Sequence, residues 1–150
     1  HRHKSPNAIY VDLNPKFDNL HYNLEFKDFA HQVFLRVHNH GLRHPDLVFF
    51  DPPYSLRQLK EHYDGIGEHL ELWQTHNMWG AGKDYLAKCM KVGSRVVSLG
   101  WTTAGFGKKR GFEKVSVHVL EQVAREDRYA LLITVEEKVQ HQLEDFTSEE

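Results

Sequence analysis

The sequence predicts an α/β fold with one sheet, mostly parallel, carrying an antiparallel pair at one edge. Three observations predict it. Asp46-Leu47-Val48-Phe49-Phe50 is a short, continuous apolar run ending in an acid, the pattern of a strand buried on both faces. Segments with helical spacing lie on either side of it, so strand and helix alternate. Near the C-terminus, residues 112–122 and 128–137 are β-rich runs separated by a turn at 124–127, which reads as a hairpin.

The elements follow in order. Ala8-Ile9-Tyr10-Val11 is a β-type run stopped at Asp12-Leu13-Asn14-Pro15, because the residue before proline is pushed out of regular pairing and a turn follows. Residues 27–39 place Phe29, Val33, Phe34 and Val37 at helical spacing, and Gly41 closes that helix. After the strand at 46–50, residues 56–63 read as a helix, followed by a Gly-rich stretch to Gly67. A helix over 82–90 turns Tyr85, Leu86 and Cys89 to one side as packing residues. Lys91-Val92-Gly93-Ser94 is a turn, 95–101 is the next strand, and 102–111 is a loop rich in Gly and Lys. The whole chain, 1–150, reads as one domain with its core at 8–138 and a frayed acidic tail at 142–150.

Composition narrows the function classes. The net charge of −2 excludes a uniformly basic nucleic-acid binder, so any such contact needs a local patch. No apolar stretch reaches membrane-spanning length, and the first residues, His1-Arg2-His3-Lys4-Ser5-Pro6, do not read as a signal peptide. Cys89 is the single cysteine, which rules out an internal disulfide and fits a reducing, cytoplasmic setting. Twelve histidines are an excess. His38, His40 and His44 nevertheless lack a second ligand cluster at zinc spacing, and no metal site is expected.

The chemistry concentrates at Asp51-Pro52-Pro53-Tyr54. In open α/β sheets, ligands bind beyond the carboxyl ends of the strands, and Asp51 leaves its strand there. The two prolines have no N–H, so the main chain offers only carbonyl acceptors. Tyr54 adds a flat aromatic face. Two acceptors beside a stacking surface suit an exocyclic amine on a nucleobase. The amine's N–H groups bond to Asp51 and a proline carbonyl, which draws its lone pair out of ring conjugation. A base inside a duplex must be flipped out to reach such a pocket. At about 5 % usage per residue, this tetrad arises by chance on the order of once in a thousand chains of this length.

The tetrad resembles the catalytic motif of S-adenosylmethionine-dependent amino-methyltransferases, the enzymes that methylate adenine N6 in DNA, with relatives acting on cytosine N4 or on RNA bases. Trp79-Gly80-Ala81-Gly82-Lys83-Asp84, followed by Met90-Lys91-Val92-Gly93-Ser94-Arg95-Val96-Val97-Ser98, is similar to the helix, turn and fifth strand of that family. Residues 102–112 are similar to the loop before the sixth strand in small phage and prokaryotic members, and 131–138 to the seventh strand.

The resemblance implies a Rossmann-like methyltransferase sheet, S-adenosylmethionine as cofactor, and a prokaryotic or phage-encoded DNA adenine-specific enzyme. It implies a catalytic pocket of Asp51, Pro52, Pro53 and Tyr54, and cofactor contacts from Asp12, Asn23, Asp28 and Asp51. The family's Gly-rich cofactor loop, expected with a strand before Asp12, is not found in residues 1–11. Gly105-Phe106-Gly107 is a weak substitute, since it leads into a strand and not a helix.

For nucleic acid, Lys108, Lys109 and Arg110 form the one compact basic cluster, expected on the active-site side of the sheet because its loop follows a strand's carboxyl end. Arg57 and Lys60, with Tyr63, follow the motif and are further candidates. DNA is favoured over RNA as the substrate, and a protein partner could supply target recognition. The contrasting reading is a non-catalytic, methyltransferase-like subunit that binds nucleic acid or a partner.

Overall fold

The computed structural model describes residues 7–9, 11, 24–53, 56–67, 78–121 and 130–141. Helix α1 spans Phe26–Asn39 and buries Phe29, Ala30, Val33 and Val37, one stripe at helical spacing. It ends in a left-handed Gly41, which turns the chain so that the His40 and Leu42 N–H groups both donate to the Arg36 carbonyl, at 3.1 and 3.0 Å. Strand β1 is Leu47–Phe50, α2 is Leu56–Gly65 and α3 is Gly80–Cys89. Strand β2 follows at Arg95–Gly100, then a 3-10 turn at Lys108–Arg110, β3 at Phe112–Leu120 and β4 at Leu131–Lys138.

The sheet order is β1-β2-β4-β3. β1 pairs with β2 in parallel, Phe50 opposite Ser98. β4 enters between β2 and β3 and is antiparallel to both. The hairpin read from the sequence is present. The expectation of a mostly parallel sheet is corrected: the hairpin's second strand lies inside the sheet and its first forms the edge, so the pairing is mixed, with one parallel and two antiparallel ladders among the described residues. Val11 makes only an isolated bridge, and Ala8 and Ile9 form no ladder. The turn at 124–127 and the tail at 142–150 lie outside the described residues.

Helices α1 and α3 pack together against one face of the sheet, with Phe50, Val96, Phe106 and Phe112 in the shared core. The approach needs glycine at 82, since a Cβ there would lie 2.4 Å from the Phe26 ring. Lys138 is also interior. Its ammonium donates to the carbonyls of Ala87 and Met90 where α3 ends, the first of which also accepts the Met90 N–H. The end of β4 therefore closes the end of α3.

The expectation that β1 is buried on both faces is corrected. Phe50 is buried, whereas Leu47 is 59 % and Phe49 64 % exposed. A continuous apolar run marks strand propensity on both sides, yet only one side meets the helices. Replacing Phe49 with Thr is expected to change the stability of this chain by less than about 0.5 kcal/mol in urea denaturation, because little burial is lost.

Candidate functional site

Asp51 emerges where the sequence puts it, immediately beyond β1 and beside the carboxyl end of the parallel strand β2. Asp51 is exposed, and Pro52 and Pro53 are half-buried. Tyr54 lies outside the described residues. The rim is anchored from below by Phe50. Its ring centroid lies 4.9 Å from Phe26, 5.9 Å from Trp79 and 6.1 Å from Phe106. The Lys83 ammonium stands 5.0 Å from the same ring, within cation–π range.

The segment from Trp101 to Gly111 starts at this rim and does not stay there. Register puts Phe112 opposite Lys138, one step past the Glu137–Arg95 pair at the start of β2. The chain therefore runs back along the helix-covered face to the amino end of β2. Phe106 enters the core on the way. Glu136, fully buried, receives the Phe106 N–H at 2.6 Å on one oxygen and the Gly107 N–H at 2.9 Å on the other. A Cβ at Gly105 would lie 1.9 Å from that carboxylate, so only glycine fits. Gly105-Phe106-Gly107 is thus a binding seat for Glu136 within the fold. Lys83 donates to the Gly105 carbonyl at 2.9 Å. Burial lowers its pKa from the ordinary lysine value, the Arg110 guanidinium lowers it further, and Glu136 partly opposes both.

The basic cluster divides. Arg110 donates to Asp84 at 2.6 Å, to the Phe106 carbonyl at 3.0 Å and to the Gly80 carbonyl at 3.3 Å, tying the strap to α3. Lys108 and Lys109 are exposed. The 3-10 turn that carries all three runs directly into β3, towards the end of the sheet opposite Asp51. The backbone of this turn therefore lies away from the rim, contrary to the expectation from chain order, while the Arg110 guanidinium reaches back to the Gly80 carbonyl. A loop leaving a carboxyl end must return to an amino end before the next strand of the same direction.

Arg57 and Lys60 are exposed on α2, just after the motif, and Arg57 pairs with Glu61 at 3.1 Å. Tyr63, a further substrate candidate from the sequence, is buried and donates to Glu25 at 3.1 Å. Asp28 is exposed in the first turn of α1, and Asp12 and Asn23 lie outside the described residues. Among the described residues no cluster of three or more His, Cys, Asp or Glu could hold a metal. His38 and His44 instead bond to separate carbonyls, those of Phe34 and Cys89.

Cys89 is buried, and desolvation raises its thiol pKa to about 11, with Lys138 pulling the other way. The neutral thiol favours the fold below the ordinary value of 9.0, and this contribution is lost as the pH rises through about 11. Iodoacetamide is expected to alkylate native Cys89 at least on the order of a hundred times more slowly than the unfolded chain at neutral pH, as read by mass spectrometry.

Sequence reasoning missed Glu136, Lys83, Asp84 and Lys138. The signal for Glu136 and Lys138 was period two: with Thr134 they share one face of β4, the face opposite the apolar Ile133 and Val135.

Among the described residues, no helix is long and apolar enough to cross a membrane. Comparison with family models, with curated proteins and with solved structures finds no match to this chain.

Proposed function

We propose that the rim at Asp51 methylates an exocyclic amine of a nucleobase, adenine N6 in DNA before cytosine N4 or an RNA base, with S-adenosylmethionine as donor. The observation that carries the reading is the seat of Asp51-Pro52-Pro53. An exposed carboxylate followed by two prolines, whose backbone offers carbonyl acceptors and no N–H donor, leaves the sheet at the carboxyl end of a parallel strand, where α/β sheets bind ligands. The strands observed at Arg95–Gly100 and Leu131–Lys138 agree in position with those the resemblance implies.

Asp51 accepts one N–H of the amine, and a proline carbonyl accepts the other. This holds the nitrogen lone pair out of the ring plane, and Tyr54 supplies the stacking face. When bound, S-adenosylmethionine supplies the methyl group. As the N–C bond forms, the donor's S–CH3 bond would break with its electron pair left on sulfur as a neutral thioether, and the amine nitrogen would give up one proton, with Asp51 as the carboxylate that would take it. Rate then comes from positioning and from stabilising charge on the amine.

Of the cofactor candidates, Asp28 and Asp51 are both exposed carboxylates, acceptors that suit the O–H and N–H donors of hydroxyl and amino groups. Asp12, Asn23 and Asp28 would hold the cofactor. Arg57 and Lys60 would meet substrate phosphates, since they follow the rim in α2 and the 108–110 turn does not lie there. Target recognition by a protein partner, a cytoplasmic setting and a prokaryotic or phage origin belong to the same proposal.

Titration calorimetry with S-adenosylmethionine tests it. Saturable heat that weakens in Asp12→Ala is the expected result, and absence of heat with the wild-type protein removes the enzyme reading.

A further inference from the structure

We propose that Lys83 is a positioning residue for the Asp51 rim, coupling the end of β1 to the strap at 101–111; its catalytic part rests on the methyl-transfer reading. Phe50 is the residue before Asp51, and its ring meets Phe26, Trp79 and Phe106 at centroid distances between 4.9 and 6.1 Å. These ring contacts are apolar and tolerant of small rotations. The Lys83 ammonium, 5.0 Å from the Phe50 centroid, adds a charged contact. The same ammonium lies 5.8 Å from the Phe106 centroid and bonds to the Gly105 carbonyl at 2.9 Å.

Gly105 and Phe106 are fixed in turn. Glu136 takes the Phe106 and Gly107 N–H groups, and Arg110 takes the Phe106 carbonyl while holding Asp84, the residue after Lys83. One side chain of α3 thus joins the last residue of β1 to a strap secured at both α3 and β4. The charge is needed for both links: a cation for the ring face, and a strong donor for the carbonyl. Burial of the ammonium, with no carboxylate in direct contact among the described residues, has a desolvation cost, seen in its lowered pKa, so packing alone gives little reason for a lysine here. A methionine would fill similar space without that cost.

Lys83→Met and Lys83→Arg test the proposal in the full chain by hydrogen exchange and by single-turnover methyl transfer. In Lys83→Met, exchange is expected to quicken jointly in peptides covering Asp51 and covering Ala104 to Gly107, with the melting temperature held or raised. Methyl transfer is expected to slow on the order of tenfold, with the KM for S-adenosylmethionine unchanged within about twofold, as for a reacting group displaced by a fraction of an ångström. Lys83→Arg restores part of both. Unchanged exchange, or a change in only one of the two peptides, overturns the coupling. An active wild type whose rate Lys83→Met leaves intact overturns the catalytic part. Joint exchange changes in a protein that transfers no methyl group uphold the coupling and overturn the proposed function together with the catalytic part.

Discussion

Replacing Glu136 with Ala is expected to lower stability by about 3–4 kcal/mol, read as a lower urea midpoint. Its two oxygens receive the Phe106 and Gly107 N–H groups at 2.6 and 2.9 Å, and its side chain is fully buried. Hydrogen bonds to a charged acceptor contribute about 1.5–3 kcal/mol each, and donors left buried without a partner carry a desolvation cost. Release of a buried charge offsets part of the loss. Glu136→Gln keeps one acceptor oxygen and turns an amide NH2 towards the other N–H, so roughly half the loss is expected.

The change also reaches Lys83. Glu136 is the group that raises its pKa against burial and Arg110. Without it the native ammonium is held still less tightly. A cation with a depressed native pKa binds fewer protons than the unfolded chain, so stability rises with pH between the native value and 10.5. In Glu136→Ala this rise begins at lower pH.

The second large effect is expected at Asp51. Asp51→Ala removes the acceptor that orients the amine and takes its proton, and methyl transfer is expected to fall on the order of a thousandfold. Stability is expected to change by less than about 0.5 kcal/mol, because Asp51 is exposed beyond the end of β1. Activity and folding are thereby separable at this position, which Glu136 does not allow.

The two positions differ in how they could be read from sequence. Asp51 was legible because a short apolar run, an acid and two prolines are local features, and strand ends in α/β sheets have a fixed relation to ligand sites. The helix at Phe26–Asn39, the strand at Arg95–Gly100 and the terminal hairpin were legible for the same reason. What escaped depends on contacts distant in sequence. Phe49 looked as buried as Phe50, and only the position of the helices distinguishes them. Glu136 sits in a run of polar residues, and nothing local says that Gly105 leaves room for its carboxylate 31 positions away in the chain. Arg110 looked like one of three equivalent surface cations until Asp84, 26 residues distant, was placed beside it. The end of the sheet reached by Lys108 and Lys109 follows from the register of β3 with β4, which no loop motif encodes. Asp12, Asn23 and Tyr54 lie outside the described residues.

The most direct measurement is the mass of a single-stranded, adenine-bearing oligonucleotide after incubation with the protein and S-adenosylmethionine. The account predicts the gain of one methyl group, located on adenine N6 by fragmentation and absent with Asp51→Ala. No gain with the wild-type protein, or a gain that survives Asp51→Ala, would contradict it.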